Sequence, residues 1–503
     1  MVIAGCSGRH AGPPMSVSCA PRAVARTRRS VGGVPSTTRP APHRRRHRPL
    51  NASSVGEPRA DADRKHSALL DAKVRRTQKL FRELLPPSAD LEVYPSPKAA
   101  GFRNRCRFAI VREEEVREQG DEGDEVSEKH EKSRGALRYA LFEKGKVEVL
   151  NTESPDFFPA ASDAVADLMP RLLRYLHEVD KDSTDTNRNP LTTNLSAVGF
   201  LANRAGDVIV TLWNSTGKQS DTNTKEDEAS HEDFERQWDQ AACLLVDELQ
   251  LTGLVSRRKG HAFLSSNGDD TIVEKMTVPK TGCVNDSGIT QETLQIQMVE
   301  GAFSNPNPDV AEITAAWLRE TVLAAFEERL VEDEGNGKNF TSKNSKNEKT
   351  KFSLVELYCG NGTHTVNLSP LFHSVVAVEI DPRLCNACEV NFRLNGIQNA
   401  TVKALPAETF SKRKTKPKQI DDFILVDPPR NGLDPVTLTL VQSYRTILYI
   451  ACDSRSLVRD LQERGLAVSH EIKRIAVFDH FPKSVFCEVV VRLERRRETR
   501  RYR

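Results

Sequence analysis

Hydrophobic residues follow two different patterns along the chain, and the pattern changes near residue 300. Before this point, short runs such as GFRNRCRFAIV (101–111) and VGFLANRAGDVIVTLWN (198–214) alternate apolar with polar positions. A period of two is typical of strands that bury one face. FPAASDAVADLMPRLLRYLHEV (158–179) instead repeats its apolar residues at helical spacing. We therefore predict an α+β domain of antiparallel strands over residues 66–300.

After residue 300, almost wholly apolar strands alternate with helical segments. FSLVELYCG (352–360), SVVAVEI (374–380) and DDFILVDPP (421–429) are separated by stretches with helical periodicity. This alternation predicts an α/β domain with a doubly wound, Rossmann-like sheet over residues 301–503. In such sheets ligands bind at the carboxyl ends of the strands.

The first 56 residues differ in charge from the rest of the chain. They contain ten arginines and no Asp, Glu or Lys, so the net charge of +3 for the whole chain leaves −7 for the remainder. With few large apolar residues, such a segment cannot bury a core, and we predict a disordered arm over residues 1–65. Its composition is typical of a mitochondrial or plastid transit peptide, which predicts an organellar location. The alternatives are a nucleic-acid-binding arm or a misassigned start, with a cytoplasmic protein.

Polar segments interrupt both predicted domains, and we interpret them as surface insertions into a smaller core. They lie at about 112–135, 179–189, 217–235, 331–351 and 411–419. No stretch reaches the ~18 apolar residues of a membrane span, so we expect a soluble protein. The ten cysteines are scattered, which favours reduced thiols. Cys385 and Cys388 form a lone C-x-x-C without a second ligand pair, so we predict no metal site.

A candidate cofactor site lies where two of the apolar strands end. In VELYCGNGTHTVNL (355–368), Gly-Asn-Gly precedes a helix, and glycines there let the backbone approach a ligand closely. Glu379 ends the next strand, seventeen residues beyond Gly362, where Rossmann-type folds bind ribose hydroxyls. The alternative is a surface glutamate that begins a loop. Because a third glycine is missing, the pattern favours a nucleoside cofactor such as S-adenosylmethionine over a dinucleotide.

A third strand end carries Asp427, within ILVDPPRNGLD (424–434). The two prolines after it fix the backbone, so that side chains and carbonyls project from the strand tip. We predict that Asp427 faces both the cofactor and a target base. A purely structural turn is the alternative.

Cys452 ends the next apolar strand, within ILYIACDSRS (447–456), and so reaches the same edge of the sheet. Taken alone, such a cysteine is more often a packing residue. A thiol beside a methyl donor, however, suits methylation at a pyrimidine carbon. A thiolate that adds to C6 of uracil makes C5 nucleophilic. We therefore predict that Cys452 is a nucleophile whose thiolate form the site must favour.

The reaction then needs a base that removes the C5 proton, and Glu488 in FPKSVFCEVVVRL (481–493) is the candidate. A carboxylate that enters a buried strand is costly unless it is paired or used. We expect burial to raise its pKa, which suits a general base. Asp479 and His480 are rival bases, whereas we interpret Cys487 and Cys359 as packing residues.

Together these motifs resemble the RNA (uracil-5-)-methyltransferase family, in particular the tRNA-modifying branch that makes 5-methyluridine in the T loop. The resemblance covers about residues 90–495, through GFRNRCRF, FPAAS, AFSNPN, ELYCGNGTHT, VEID, DPPRNGLD, YIACDS and FPKSVFCEVVV in the family's order. It implies methylation of uridine 54 of tRNA, with Cys452 as nucleophile and Glu488 as general base. It also implies cofactor contacts for Asn305, Tyr358, Thr363, Glu379 and Asp427.

Two departures from the family pattern affect these expectations. The family's F-x-Q-x-N stretch has Asn305 in place of Gln, which places cofactor affinity in doubt more than activity. The family's cysteine is often followed by Asn-Pro, whereas Asp453 and Ser454 follow Cys452 here. Without that proline, we expect a looser loop after the cysteine.

The substrate is expected to be RNA. Arg103, Arg105 and Arg107 alternate with less polar residues, so a strand would present them on one face, where guanidinium groups suit phosphates. A solvated strand face is the alternative. Ribosomal RNA enzymes of the family often carry an N-terminal β-barrel, and some have clustered iron–sulfur cysteines. The chain shows neither pattern, which favours tRNA, whose single-stranded loop eases extrusion of the target base.

Other functions remain as alternatives. An rRNA uracil-5-methyltransferase uses the same chemistry, and an RNA-folding or RNA-binding protein could keep the fold without catalysis. Cytosine-5 methyltransferases carry a motif that resembles D-A-P-C at the strand tip, whereas this chain has D-P-P-R. Amino-group methyltransferases share D/N-P-P but need no Cys452. We expect a monomer.

Overall fold

The computed structural model describes most of the chain after residue 56. The described ranges are 57–86, 90–113, 135–143, 146–154, 157–181, 188–215, 225–258, 261–285, 288–335, 352–413 and 423–496. Residues 1–56 of the predicted arm, with its proposed targeting role, lie outside these ranges. Residues 57–65 form the start of a helix instead of belonging to the arm. Pro58 is the second residue of this helix, where the missing N–H of proline costs little.

The helices and strands follow each other along the chain in two groups. The first group comprises α1 (Glu57–Phe81), β1 (Leu91–Tyr94), β2 (Arg105–Arg112), β3 (Leu137–Glu143), β4 (Lys146–Val149), α2 (Asp163–Lys181), β5 (Leu195–Ala202), β6 (Val208–Asn214), α3 (Lys225–Leu249), β7 (Gly253–Arg258), β8 (His261–Leu264), β9 (Thr271–Asn285) and β10 (Gly288–Val299). The second comprises α4 (Pro308–Gly335), β11 (Ser353–Leu357), α5 (Thr363–Leu368), a 3-10 turn (Ser369–Leu371), β12 (Ser374–Glu379), α6 (Pro382–Leu394), β13 (Ala400–Ala404), α7 (Ala407–Arg413), β14 (Phe423–Val426), α8 (Pro435–Gln442), β15 (Thr446–Ala451), α9 (Ser454–Gln462), α10 (Leu466–Ser469), β16 (His470–Phe478) and β17 (Glu488–Arg495).

The C-terminal strands form the predicted α/β sheet, in the order β1-β16-β17-β15-β14-β11-β12-β13. Strands β11 to β15 run parallel, so their carboxyl ends share one edge. Strand β15 is buried along its whole length, as its continuous apolar run predicts. The sheet is not wholly parallel, however, because β17 runs antiparallel to both β15 and β16.

The N-terminal group forms a second sheet with the order β4-β3-β2-β5-β6-β7-β8. Its described pairs are antiparallel except β6 with β7, which agrees with the predicted α+β character. Helix α2 packs on it with residues at i, i+3 and i+4 spacing, including Val165, Leu168 and Leu172. Helix α3 begins at Lys225, within the polar segment 217–235 that we predicted to be a surface insertion. The fully buried residues of α3, such as Trp238 and Leu245, follow that segment, but Phe234 within it also packs against the core.

Two elements before residue 300 belong with the C-terminal sheet. Strand β1 pairs in parallel with β16, and helix α1 buries Phe81 in the core beneath that sheet. The antiparallel ribbon of β9 and β10 packs against α6 and α4. Residues 56–503 cluster as one compact unit, and the domain boundary at 300/301 stays a prediction. Within the described residues, no helix combines the length and apolarity that a membrane crossing needs.

Candidate functional site

The turn after β11 has an unusual backbone that brings main-chain groups to the edge of the sheet. Tyr358, Gly360 and Gly362 all have positive φ, at 64°, 57° and 80°. Such a φ is uncommon for a residue other than glycine. At Gly362 a Cβ atom would collide with Cys388 Sγ, so only glycine fits beside helix α6. This conformation directs the turn toward the cavity described below.

Polar side chains hold this turn in place. Asn361 Nδ2 donates to the Gln297 carbonyl at 2.8 Å, which fastens the turn to strand β10. Asn391 Nδ2 donates to the Asn361 carbonyl at 2.8 Å. The Thr363 hydroxyl donates to Asn361 Oδ1 at 2.9 Å. Thr363 therefore acts on the turn itself, in addition to any contact with a ligand.

Glu379 lies at the end of β12 beside the turn. Its Oε2 accepts a hydrogen bond from Gly360 N at 3.0 Å. Its Oε1 accepts from Ile380 N at 2.8 Å and from Asp381 N at 2.9 Å. The side chain is thus oriented by the backbone, and the alternative of a free surface glutamate does not hold. Its role with a ribose stays a prediction.

One cavity of about 110 Å³ collects five of the predicted site residues: Asn305, Tyr358, Thr363, Asp427 and Glu488. His364 also lines it, whereas Glu379 does not. A ligand that reached both Glu379 and Asp427 would therefore extend beyond this cavity.

Asp427 contributes an unpaired carboxylate to the cavity. Within the described residues, this half-buried side chain accepts no hydrogen bond. Burial raises its pKa well above the ordinary value, and the nearby charges of Glu488 and Glu356 add to this effect. A cationic ligand group would relieve the repulsion between these carboxylates, so the cavity suits a positively charged ligand.

Glu488 is paired with a histidine. His480 Nε2 lies 2.8 Å from Glu488 Oε2, and His480 is 1% exposed. We expected burial to raise the pKa of Glu488, and burial does act in that direction. The charge and hydrogen bond of His480 outweigh it, with a smaller effect from His364, so the pKa of Glu488 is lowered instead. The expectation of a raised pKa was wrong because the sequence did not reveal this pairing.

The strand register explains why Cys452 and Glu488 lie at the same place. In the β15–β17 ladder, Ala451 pairs with Val489. Cys452 follows Ala451 and Glu488 precedes Val489, so the two residues lie just beyond the last pair of this ladder. The antiparallel orientation of β17 thus brings the predicted nucleophile to the predicted base.

The protein groups around Cys452 do not favour its thiolate. Burial raises the pKa of Cys452, and the charges of Asp427 and Glu488 raise it further, whereas Arg430 opposes them. The thiol is half-buried and lines a separate depression of about 290 Å³ with Arg430 and Phe486. An additional positive charge would be needed to favour the thiolate.

The turn after Cys452 is ordered by Asp453, contrary to the expected looser loop. Asp453 is the N-cap of helix α9, and its carboxylate accepts from Arg455 N at 3.0 Å. The Arg455 guanidinium donates to the same carboxylate at 2.9 Å, and this hydrogen bond lowers the pKa of Asp453. A capping aspartate therefore takes the place of the proline.

Asp479 is not available as a base. It is fully buried, and its carboxylate lies 2.6 Å from Lys73 Nζ and 2.8 Å from His66 Nε2, both on helix α1. Lys73 also donates to the Phe481 carbonyl at 2.9 Å. Asp479 therefore fastens the segment before Glu488 to α1, while the neighbouring His480 contacts Glu488.

The three predicted RNA-binding arginines share one face, as the alternation indicated. Phe102, Asn104 and other even-numbered residues are buried, whereas Arg103, Arg105 and Arg107 point outward. All three line a groove of about 530 Å³. The Arg107 guanidinium lies 4.0 Å above the Trp213 ring, a partner that the sequence did not suggest.

The arginine groove continues toward Cys452 through shared lining residues. Phe303 lines both the groove and the cavity of Asp427. A neighbouring depression of about 520 Å³ shares Arg103 and Phe481 with the groove, and shares Arg430 and Phe486 with the depression of Cys452. One connected surface thus leads from the arginines to the candidate nucleophile.

Two further groups at this site, His364 and Glu356, were not predicted from the sequence. His364 lines the cavity, and its Nδ1 has no hydrogen-bond partner within the described residues. Burial lowers the pKa of His364 to about 4, partly opposed by Glu488 and supported by His480. Glu356 is buried beneath the turn, and burial raises its pKa to about 8. The motif ELYCGNGTHT contains both residues, but only their burial gives them a distinctive chemistry.

Comparison with known proteins supports the resemblance found in the sequence. A sequence model of the tRNA (uracil-5-)-methyltransferase family matches residues 342–496. The tRNA/tmRNA (uracil-C(5))-methyltransferase of Acinetobacter baylyi is 28% identical, over 84% of this chain and 97% of its own length. The enzyme of the same name from Chromohalobacter salexigens is 29% identical, over 86% of this chain and 96% of its own length.

A solved structure shares the fold. The tRNA (uracil-54, C5)-methyltransferase of Pyrococcus abyssi, in complex with S-adenosyl-L-homocysteine, superposes with a TM-score of 0.52 at 16% identity. The superposition covers 85% of this chain and 83% of the other. The likeness therefore extends over both sheets.

Proposed function

We propose that this chain, a member of the RNA (uracil-5-)-methyltransferase family, transfers a methyl group from S-adenosylmethionine to C5 of a uridine in tRNA, with uridine 54 of the T loop as target. The observation that carries this proposal is the position of Cys452 and Glu488 at the end of one antiparallel ladder. A pyrimidine bound there would meet a thiol and a carboxylate together.

The cavity beside these residues fits a cationic cofactor. Asp427 offers an unpaired carboxylate, and Glu379 is oriented by three backbone N–H groups at the end of the next strand. S-adenosylmethionine, when bound, supplies an electrophilic methyl group on a positively charged sulfur. Asp427 and Glu379 would hold it, with Asn305, Tyr358 and Thr363 around the cavity. A cation there would also offset the carboxylates that raise the pKa of Cys452.

The chain's own residues then act on the two sides of the C5–C6 double bond. The Cys452 thiolate forms a bond to C6, and the electron pair of the double bond becomes available at C5, which takes the methyl group. C5 then carries both the methyl group and its original hydrogen. Glu488 accepts this hydrogen as a proton, the double bond re-forms, and the C6–S bond breaks to return the thiolate.

The arginine groove supports RNA as the substrate. Arg103, Arg105 and Arg107 face a groove that leads to Cys452, and guanidinium groups bind phosphates. The names of the relatives specify tRNA and tmRNA, and that of the Pyrococcus abyssi enzyme specifies uracil 54. If the arginines contact phosphates, each Arg→Gln change should lower the salt dependence of tRNA binding by about 0.7 to 1 in the log–log slope.

Oligomeric state and location belong to the same proposal. Every predicted site residue comes from one chain, which supports a monomer, and sedimentation at working concentration tests it. The Arg-rich composition of residues 1–56 supports delivery to an organelle. Fusion of these residues to a fluorescent protein tests that delivery.

The decisive experiment uses the chain from residue 57 with an unmodified tRNA transcript and S-adenosylmethionine, followed by digestion to nucleosides and mass spectrometry. We expect 5-methyluridine from the parent protein and none from Cys452→Ala. Cys243→Ala is the matched control, because Cys243 is half-buried on helix α3 in the first group of elements. No product on tRNA, but product on ribosomal RNA, would reassign the substrate.

A further inference from the structure

Asn305, His480 and Glu488 form a hydrogen-bonded chain beside the cavity. His480 Nδ1 lies 3.1 Å from Asn305 Oδ1, and His480 Nε2 lies 2.8 Å from Glu488 Oε2. Asn305 is exposed, whereas His480 is buried. The chain therefore connects the surface of the protein with the carboxylate that faces the substrate position.

The orientation of the Asn305 side chain is set by a backbone donor. Asn307 N donates to Asn305 Oδ1 at 3.1 Å. A backbone N–H can only donate, so the atom that faces it must be the amide oxygen and not the amide nitrogen. The same oxygen faces His480 Nδ1. Since this oxygen only accepts, Nδ1 of His480 must carry a hydrogen.

This assignment determines what the other nitrogen of His480 must do. Two oxygen atoms face Nε2: Glu488 Oε2, and Thr314 Oγ1 at 3.3 Å. The Thr314 hydroxyl donates its own hydrogen to the Val310 carbonyl at 2.9 Å, so it presents lone pairs to His480. A neutral imidazole has one N–H, which Nδ1 already uses. The short contact between His480 Nε2 and Glu488 Oε2 therefore needs a second hydrogen, which lies between these two atoms.

We propose that His480 is a positioning residue for proton removal from C5, and that Asn305 serves the base by fixing the orientation and protonation of His480. This inference rests on the proposed function. With Oε2 of Glu488 held by His480, the other carboxylate oxygen, Oε1, faces the substrate. The C5 proton moves to Oε1, His480 keeps its own proton, and the proton on Glu488 passes to water after the product leaves.

Asn305 thus has a role in orienting His480 that the family pattern does not imply. The resemblance implies a cofactor contact at this position, where the family has Gln. Within the described residues, both side-chain hydrogen bonds of Asn305 go through Oδ1, to Asn307 N and to His480 Nδ1. Its shorter side chain thus matches the distance to His480, and the two residues act as a pair.

The test separates methyl transfer from proton removal. A tRNA transcript with tritium at C5 of uridine is incubated with S-adenosylmethionine labelled with ¹⁴C in the methyl group, at saturating cofactor. Methyl incorporation and tritium release are followed in the same single-turnover reaction. In the parent protein both signals should rise together.

We expect His480→Gln to slow tritium release about 100-fold, at the lower end of what a general base contributes. Methyl incorporation should stay within roughly twofold of the parent. RNA that has received the methyl group but still carries tritium should accumulate as a protein–RNA complex that survives denaturation. Asn305→Ala should give the same separation with a smaller factor, whereas Asn305→Asp, which keeps an acceptor for Nδ1, should restore most of the rate.

A double-mutant cycle distinguishes a pair from two separate roles. In the His480→Gln background, Asn305→Ala should add no further loss of tritium release, because its effect passes through His480. His373→Gln is the matched control, since His373 is exposed and lies before strand β12. This control should incorporate methyl groups and release tritium at the rates of the parent protein.

Three outcomes would overturn the inference: an equal fall of both signals in His480→Gln, additive effects of the two changes, or parental tritium release in Asn305→Ala. Asn305 is exposed, so its variants test the inference even if His480→Gln does not fold. Failure of the proposed function is a different result, because the parent protein would then incorporate no methyl group at all.

Discussion

Cys452 and Glu488 lie on neighbouring strands at the same end of one ladder, yet the protein shifts the pKa values of the two groups in opposite directions. The pKa of Cys452 is raised, first by burial and then by the carboxylates of Asp427 and Glu488. The pKa of Glu488 is lowered, because His480 outweighs the effect of burial. The protein groups at the site therefore favour the ionised form of the base and disfavour the thiolate form of the nucleophile. In our account, a cationic cofactor is what favours the thiolate.

The two residues are also held in different ways. Cys452 is followed by a local cap, in which Asp453 binds the backbone of its own helix. The segment before Glu488 is held from far along the chain: Lys73 contacts Asp479 and the Phe481 carbonyl, and Arg76 donates to the Val485 carbonyl at 2.6 Å. Helix α1 thus holds the segment before the base through side-chain contacts, and it also packs on helix α9, which follows the nucleophile.

The largest expected effect removes the base. Glu488→Gln should lower the rate of 5-methyluridine release about 10²- to 10⁴-fold, because the amide cannot accept the C5 proton. Attack by Cys452 should still occur, so the first methyl transfer per enzyme should persist. Multiple-turnover and single-turnover assays on the same tRNA measure the two separately. Equal loss in both assays would contradict the division of roles.

The second effect concerns the support of the base. Lys73→Met should lower the free energy of unfolding by about 3–5 kcal/mol, because it leaves the buried Asp479 carboxylate without its ammonium partner. Urea denaturation measures the change. Lys79→Met on the same helix is the control, since Lys79 is exposed. A change as small as that of the control would show that α1 does not hold this segment.

A smaller effect is expected at the support of the nucleophile. Asp453→Ala should cost about 1 kcal/mol, because it removes the N-cap of α9. Asp453→Asn, which can still accept from Arg455 N, should recover most of the loss. Thermal unfolding of both variants tests this, and identical melting temperatures would argue that Arg455, rather than the cap, orders the turn.

The smallest effect tests the electrostatics of the thiol. Asp427→Asn should lower the pKa of Cys452, because the Asp427 charge raises it. At a fixed alkaline pH the thiolate fraction, and with it the alkylation rate by iodoacetamide, should then be higher than in the parent. Mass spectrometry of the peptide that contains Cys452 follows the rate against pH. An unchanged dependence of the alkylation rate on pH would show that the Asp427 charge does not raise the pKa of Cys452.

Features encoded in short segments were predictable from the sequence. The apolar strands that end at Glu379, Asp427 and Cys452 have local patterns, and the parallel order places their ends at one edge. The alternation that exposes Arg103 and its neighbours is likewise local. These predictions needed only the period of a strand and the position of its end.

Features that depend on distant residues were not predictable. The antiparallel placement of β17 next to β15, which brings Glu488 to Cys452, is a property of the whole sheet. The lowered pKa of Glu488 depends on His480, and the loss of Asp479 as a rival base depends on Lys73, about 400 residues earlier. No single-sequence pattern joins such residues, because their contact is made only when the sheet and α1 are assembled.

The most direct test of the central claim uses tRNA transcribed with 5-fluorouridine. Fluorine at C5 cannot leave as a proton, so a reaction that passes through a Cys452–C6 bond must stop after methyl transfer. We predict a protein–RNA complex that survives denaturation, requires S-adenosylmethionine, maps to the peptide that contains Cys452, and is absent in Cys452→Ala. Formation of 5-methyluridine on ordinary tRNA without any such complex on the fluorinated tRNA would contradict the account.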